Sequence, residues 1–216
     1  MKKNILIFGD SNTWGWNPVN DLVNPIVRWD DDIRWAGILQ AELGDDYKVI
    51  QEGLNGRTTV WDDPIEEYRC GKDQIIPALD THAPLDLCII MVGTNDLKAR
   101  YTVTAQDIAN GVAIIVDKAL HQAGAYGENG PKVLLICPPP IGPIEYGCFS
   151  EMFKGGVEKS KDMPKYFETV AKNFGAEYFD AGTVIHSSKE DGIHLQADQH
   201  EILGKEVAKI VKKIIG

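Results

Sequence analysis

The stretch Asn4-Ile-Leu-Ile-Phe8-Gly9-Asp10-Ser11 decides how the rest of the chain is interpreted, because an apolar run ends abruptly in a glycine and two polar residues. Continuous apolar runs of this length are typical of strands that are buried on both faces of a parallel sheet. Ser11 is therefore predicted to lie at the carboxyl end of a first strand. Ligands of open α/β sheets bind in the crevice at that end. Ser11 thus becomes a candidate functional residue.

Strand-like runs alternate with longer helical patterns along the chain. The strand candidates are residues 4–8, 47–51, 87–92, 132–137 and 177–179. Apolar residues recur at helical spacing in the helix candidates, which are residues 35–43, 72–81, 104–123, 156–174 and 197–215. This alternation predicts a three-layer α/β/α sandwich around a flavodoxin-like parallel sheet of about five strands. The length of 216 residues predicts a single domain spanning residues 1–216.

Charge and cysteine usage exclude several classes of partner and compartment. Asp and Glu number 32 against 22 Lys and Arg, which gives a formal net charge of -10. An acidic chain is a poor match for nucleic acid or for an anionic membrane surface. The apolar run after Met1-Lys2-Lys3 is too short for a signal sequence. The four cysteines show no Cys-x-x-Cys spacing, and Cys88 and Cys137 fall in apolar runs, so we expect a cytoplasmic protein.

Two irregular stretches, residues 16–34 and residues 138–155, are rich in proline and aromatic residues. Both follow predicted strands, so both should overhang the carboxyl edge of the sheet. Long loops in compact domains are often functional walls or lids. An equally open interpretation is that they pack against each other or against a partner subunit.

Four short polar blocks are predicted to meet at this carboxyl edge. They are Gly9-Asp10-Ser11-Asn12-Thr13-Trp14-Gly15, Glu52-Gly53-Leu54-Asn55-Gly56-Arg57-Thr58-Thr59, Val92-Gly93-Thr94-Asn95-Asp96 and Asp191-Gly192-Ile193-His194. The first three follow strands directly, and the fourth precedes the last helix.

The residue types in these blocks are those that acyl transfer requires. A serine hydroxyl becomes a nucleophile only when a base accepts its proton, and His194 is the candidate base. Asp191, three residues earlier, can orient that imidazole and stabilise its charged form. The oxyanion of the tetrahedral intermediate needs fixed donors. Gly56 permits close approach of the backbone, and Asn95 offers an amide.

Taken in order, the four blocks resemble those of the SGNH hydrolases, also called the GDSL esterase/lipase family, and the resemblance spans almost the whole chain. It implies that Ser11 is the nucleophile and lends its own N–H to the oxyanion hole. It implies the same role for the N–H of Gly56, which fits the motif better than Gly53, and for the Asn95 amide. Asp191 and His194 match the family's Asp-x-x-His pattern and complete a catalytic triad with Ser11.

A closer resemblance is to the arylesterase and acyltransferase (perhydrolase) branch, through Gly-Asp-Ser-Asn-Thr-Trp-Gly-Trp16, Glu-Gly-Leu-Asn-Gly-Arg-Thr-Thr59, Gly-Thr-Asn-Asp96 and Pro138-Pro-Pro140. It implies hydrolysis of short-chain, acetyl-type esters, acyl transfer to a second alcohol, and a homo-oligomer. Asn12 departs from the leucine of the family name, which puts substrate preference in doubt. The expected lining of the substrate pocket is Asn12, Trp14, Trp16, Asn55, Thr94 and Ile193.

Several alternatives stay open at this point. Ser11 alone could cap a helix, and Asp10, Asp96 and Arg57 are expected to be structural. Within the family, a carbohydrate O-deacetylase is the rival activity. Outside the enzyme class, a non-catalytic, flavodoxin-like module that binds a small molecule is the rival, although it leaves Asp191 and His194 unexplained. The chain has no Gly-x-Ser-x-Gly elbow, phosphate loop or dinucleotide fingerprint, so we predict no cofactor. The other histidines are scattered and none pairs with ligands at metal spacing, so we predict no metal.

Overall fold

A five-stranded parallel sheet organises the computed structural model, which describes residues 2–21, 23–121, 130–145, 147 and 149–216. All neighbouring strands are parallel and the sheet order is β2-β1-β3-β4-β5. The strands are Lys3–Gly9 (β1), Tyr47–Gly53 (β2), Leu87–Met91 (β3), Lys132–Cys137 (β4) and Glu177–Asp180 (β5). The predicted α/β class is confirmed.

Helices cover both faces of this sheet, as expected for a three-layer sandwich. They are Ser11–Trp14 (α1), Trp35–Leu43 (α2), Gly71–His82 (α3), Ala105–His121 (α4), Phe149–Met152 (α5), Gly156–Phe174 (α6) and Ala197–Ile215 (α7). Side chains of α3, α4 and α6 form one apolar cluster with the sheet, and side chains of α2 and α7 form a second.

The alternation of side chains along β1 explains why its sequence is apolar throughout. Leu6 and Phe8 belong to the first cluster, whereas Ile5 and Ile7 belong to the second, and all four are fully buried. Successive residues of a strand point to opposite faces, so a strand covered on both faces has no polar positions. Burial of each such side chain stabilises the fold by about 1.5–3 kcal/mol.

The boundaries differ from the sequence-based expectation in a few places. The short helix α1 was not predicted, and it forms because the side chain of Asp10 accepts a hydrogen bond from the N–H of Asn12 at its start. Helix α4 ends at His121, and residues 122–123 of the predicted helix lie outside the described residues. The stretch 138–155 contains α5, and its Tyr146 and Cys148 also lie outside the described residues.

Within the described ranges, no helix is both long enough and apolar enough to cross a membrane. The parallel topology places the loops after β1, β2 and β3 at one edge of the sheet. The loop between β5 and α7, which carries Asp191 and His194, reaches the same edge, because His194 contacts Ser11 there. The fold therefore brings all four polar blocks to one place.

Candidate active site

Ser11 begins a tight turn that requires a glycine two residues earlier, at position 9. A Cβ on Gly9 would lie 2.0 Å from Oγ1 of Thr13, so the end of β1 can pack against α1 only without a side chain. The turn closes where the N–H of Gly15 donates to the carbonyl of Ser11 at 2.9 Å. Ser11 is 5% exposed, and its carbonyl accepts hydrogen bonds from the main-chain N–H groups of both Gly15 and Trp16.

A continuous chain of hydrogen-bond contacts joins Ser11, His194 and Asp191. Oγ of Ser11 lies 2.9 Å from Nε2 of His194. Nδ1 of the same ring lies 2.5 Å from Oδ2 of Asp191. All three side chains are buried. This is the arrangement in which an imidazole can accept a serine proton while a carboxylate orients its other nitrogen.

The Asp191 carboxylate accepts hydrogen bonds beyond the one from His194. Its Oδ1 accepts from the main-chain N–H groups of Ile193 and His194, each at 2.9 Å, and from the Ser188 hydroxyl at 2.8 Å. Burial acts to raise the pKa of Asp191, but the hydrogen bonds and the charge of His194 outweigh it and the pKa is lowered. Asp191 is therefore charged at neutral pH. The sequence pattern offered no signal for Ser188.

The three candidate oxyanion donors line one cavity beside Ser11. Nδ2 of Asn95 donates one hydrogen bond to the carbonyl of Arg57 at 3.1 Å, which holds the amide against the turn that contains Gly56. An amide nitrogen has two donor protons, so the second stays available. Among the described residues, the N–H groups of Ser11 and Gly56 donate to no protein acceptor. The residues that line this cavity thus include three with free donor protons.

The cavity at this site has a volume of about 310 Å³ and two chemically different walls. One wall is apolar and aromatic, and the other carries charged side chains. Its lining residues are Ser11, Trp16, Asn55, Gly56, Ile65, Glu66, Asn95, Lys98, Arg100, Phe149, Met152, Phe153, Ile193 and His194. Such a space accommodates a small ester.

Half of the expected pocket residues line this cavity and half do not. Trp16, Asn55 and Ile193 are on its wall.

Asn12, Trp14 and Thr94 are not among the residues that line this cavity. Asn12 is buried, and its amide donates to the Ile193 carbonyl and accepts from the N–H of Leu195. Trp14 packs under the guanidinium of Arg28, at 4.6 Å from the ring centroid.

Thr94 lies at the start of the 3₁₀ turn Asn95–Leu97, only 3% exposed. For all three, the local turn directs the side chain into the protein or onto a neighbour.

The charged wall is a network that the sequence motifs did not reveal. Asp63 accepts hydrogen bonds from Arg100 at 2.8 Å and from the Tyr101 hydroxyl at 2.7 Å. Lys98 lies 2.8 Å from Glu66 and 3.4 Å from Asp63. Burial acts to raise the pKa of Asp63, but the hydrogen bonds and Lys98 outweigh it and hold the pKa below its ordinary value. These residues come together only because the loop after β2 folds over the turns after β3.

Two buried charged residues of the motifs, Arg57 and Asp96, hold the loops together. Arg57 donates to the carbonyls of Gly9 and Glu52, and Asp96 accepts from the N–H and hydroxyl of Thr59. Burial raises the pKa of Asp96 to about 7 and lowers that of Arg57 to about 10.

One group of potential metal ligands exists in the described part of the chain. Carboxylate oxygens of Asp62 and Asp73 and Sγ of Cys70 lie within 4.8 Å of one another. Asp73 occupies the first turn of α3, where a carboxylate is favoured without a metal, and burial raises the pKa of Cys70 to about 11. The donor set therefore gives no support for a bound metal.

Comparison with known proteins places the fold and the site in a family. The model of the GDSL-like Lipase/Acylhydrolase family matches residues 7–202. The aryl esterase of M. smegmatis is 42% identical, with a TM-score of 0.94 over 99% of this chain and 100% of that one.

Two further structures are carbohydrate acetylesterases of Sinorhizobium meliloti. One is 42% identical with a TM-score of 0.94, covering 99% of this chain and 100% of that one. The other, described as a member of the carbohydrate acetylesterase family, is 35% identical with a TM-score of 0.92, covering 99% of both chains. No curated protein matches the chain in sequence.

Proposed function

Because the chain belongs to the GDSL-like lipase/acylhydrolase family, we propose that it is a serine esterase that hydrolyses short-chain, acetyl-type esters through Ser11, His194 and Asp191. The esterase class follows from the family and from the aryl esterase and acetylesterases that share its fold at up to 42% identity. The assignment of roles rests on one observation, the contact of 2.9 Å between Oγ of Ser11 and Nε2 of His194 inside the cavity.

Acylation begins with attack of Oγ of Ser11 on the ester carbonyl carbon. As the new C–O bond forms, the hydroxyl proton passes to Nε2 of His194, and Asp191 stabilises the imidazolium. The tetrahedral intermediate then collapses. The bond from carbon to the alcohol oxygen breaks, the proton on Nε2 goes to that oxygen, and the acyl group stays on Ser11.

The negative charge of the intermediate is held by the N–H groups of Ser11 and Gly56 and by the Asn95 amide. Each such donor can contribute roughly 3–4 kcal/mol to the transition state. The bond from Asn95 to the Arg57 carbonyl supports this role, because it fixes the amide before substrate arrives. A donor that is already oriented needs no rearrangement during the reaction.

Deacylation repeats the same proton path with water. His194 accepts a proton from the water that attacks the acyl carbon, and the carboxylic acid leaves as Oγ of Ser11 regains its proton. A second alcohol bound in the cavity can replace water, and the product is then a new ester. The aromatic side chains of Trp16, Phe149 and Phe153 on the cavity wall support this acyltransferase reaction, because they offer an apolar surface to a second alcohol.

The charged wall favours a second candidate, a carbohydrate O-deacetylase. Glu66 offers carboxylate oxygens that accept from sugar hydroxyls, Lys98 and Arg100 offer donors, and the same cavity carries aromatic side chains on which a sugar ring can stack. Rates on a panel of aryl acetates and of acetylated xylose and glucosamine separate the two. Selective loss of the sugar activity in Glu66→Gln favours the deacetylase, whereas equal loss on both substrates contradicts it.

We also propose that the protein forms a homo-oligomer and is located in the cytoplasm. The stretch 16–34 exposes several apolar side chains, namely Val19 at 65%, Val23 at 88%, Ile26 at 54% and Val27 at 49%. A second copy of the chain would bury them. Cys70, Cys88 and Cys137 are buried as free thiols, which fits a reducing compartment. Light scattering and cell fractionation test the two points.

Labelling with a fluorophosphonate, measured by intact mass, tests the nucleophile. We expect one adduct on the wild-type protein and none on Ser11→Ala. Ser187→Ala is the matched control, because its hydroxyl only donates to the carbonyl of Pro140, and it should label normally. Absence of an adduct on folded wild-type protein would contradict the proposal and favour the binding-module alternative.

A further inference from the structure

The imidazole of His194 lies close to two aromatic side chains. The Trp16 ring is stacked on it, with centroids 5.4 Å apart and an interplanar angle of 29°. Phe149 approaches with its centroid at 6.0 Å and an angle of 59°. A cation within about 6 Å of an aromatic face is attracted by the ring's quadrupole. His194 becomes such a cation each time it accepts a proton.

Trp16 is held rigidly in this position. Its main-chain N–H donates to the carbonyl of Ser11 at 3.0 Å, and its backbone forms an antiparallel bridge with that of Arg28. The residue is 5% exposed. The turn that presents the nucleophile therefore also presents the indole face to the base.

The indole of Trp16 destabilises the folded protein here if it does no more than fill space. Nε1 of Trp16 is buried and has no hydrogen-bond partner among the described residues. An unsatisfied buried donor is destabilising, and a phenyl or aliphatic side chain would fill the site without one. Of the aromatic side chains, however, the indole has the face that attracts cations most strongly.

We propose that Trp16 is a positioning residue whose indole face stabilises the protonated form of His194, with Phe149 as a weaker second wall. The inference depends on the proposed function only in that His194 acts as the base. Its consequence is that the imidazolium formed during acylation and deacylation is favoured.

Other charged and titratable groups also face His194 and must be separated from this effect. Asp191 binds its Nδ1, while Asp10 from the end of β1 and His200 from α7 act on it through their charges. The cavity wall adds Glu66, Lys98 and Arg100. Substitution of Trp16 leaves all of these in place, so a difference between variants reports the aromatic ring.

The test is an NMR titration of the His194 ring C–H protons in substrate-free protein. The five histidines are distinguished with His194→Gln. In Trp16→Leu we expect the titration midpoint to move to lower pH by about half to one and a half units, from the usual strength of a cation–π contact. Trp16→Phe should recover at least half of the shift.

Two further variants control for general disruption. Trp61→Leu removes another indole whose Nε1 is buried and has no hydrogen-bond partner in the described part of the chain, and it should leave the midpoint unchanged. Phe149→Leu should lower the midpoint by less than Trp16→Leu does. If Trp16→Leu does not fold, Trp16→Phe decides the question, because its midpoint should still lie below that of the wild-type protein. The acidic limb of the pH profile of kcat/KM should move with the NMR midpoint.

A midpoint that is unchanged or raised in Trp16→Leu overturns the inference, as does an equal shift in the Leu and Phe variants. A lower rate of Trp16→Leu at every pH, without movement of the acidic limb of the pH profile, also overturns the inference, because it indicates a purely structural role. The NMR result needs no ester. It therefore stands apart from the labelling of Ser11, and failure of one can be told from failure of the other.

Discussion

The main-chain N–H of Leu195 donates to Oδ1 of Asn12 at 3.1 Å, which ties the residue after the proposed base to the residue after the proposed nucleophile. The amide of Asn12 also donates to the carbonyl of Ile193 at 3.4 Å. One side chain therefore bonds to the main chain on both sides of His194. It links loops that are more than 180 residues apart in sequence.

Asn12→Ala should lower kcat by about ten- to a hundredfold, because the loops of Ser11 and His194 lose their direct connection. Stability should fall by about 1–3 kcal/mol, since the buried N–H of Leu195 loses its acceptor. Kinetics and urea unfolding measure the two effects. Asn20→Ala is the matched control, because Asn20 makes the same two-way bridge to Val27 in the stretch 16–34. Equal effects of both variants on kcat would argue against the linking role.

Asn95→Ala should lower kcat by about 10²–10³-fold with little change in KM, because its amide acts on the oxyanion and not on the ground state. Steady-state kinetics on an aryl acetate measure this. Asn4→Ala removes a similar amide-to-carbonyl bond, to Pro84, from the opposite end of β1, and its kcat should stay near that of the wild-type protein. A rise in KM with unchanged kcat would place Asn95 in substrate binding instead.

Asp191→Asn should lower kcat by about 10⁴-fold while the protein stays folded. An amide cannot stabilise the imidazolium, although it can keep part of the hydrogen-bond network around Oδ1. Asp180→Asn is the control, because Asp180 also accepts a main-chain N–H, from Gly182, outside the site. Activity of Asp191→Asn within tenfold of the wild type would show that another group orients His194.

His200 should make folding stability depend on pH. Burial lowers its pKa from 6.5 to about 3, and its Nδ1 accepts the N–H of Trp35 at 3.3 Å. Below pH 6.5 the unfolded chain binds a proton that the folded protein does not, so stability falls as pH falls from 6.5 toward 3. Between pH 6.5 and 5 the loss from this residue is about 2 kcal/mol.

The matched variant is His200→Asn, because its Oδ1 can accept from Trp35 but does not titrate. Urea unfolding at pH 7.5 and pH 5 measures the difference between the two proteins. We expect the variant to lose less stability than the wild type on acidification. An identical loss would show that His200 is not responsible.

Prediction from sequence works best where the argument depends on the backbone. An apolar strand that ends in Gly9-Asp10-Ser11 is predicted to lie inside a parallel sheet, because both of its faces must be covered. Its polar end then lies at the edge that the loops after the other strands share. The bounds of the helix predicted over residues 72–81 are off by one residue at each end, and the short helix α1, which Asp10 caps, was not predicted. The single domain, the cytoplasmic location and the oligomer stay predictions.

Prediction fails where side-chain direction matters. Asn12 and Thr94 were expected in the pocket because they are next to Ser11 and Asn95 in sequence, but a turn sends neighbouring side chains in different directions. The charged wall around Asp63 had no motif, since its members come from loops that are distant in sequence.

The sequence by itself determined the strand-and-helix order, the family and the four polar blocks, because apolar periodicity and short motifs are local properties of the chain. Only the tertiary structure decided which side chains share the cavity, how Trp16 is stacked on His194, and how Asn12 joins the two loops. These contacts depend on the packing of segments more than a hundred residues apart, and no local pattern records the distance or angle between them.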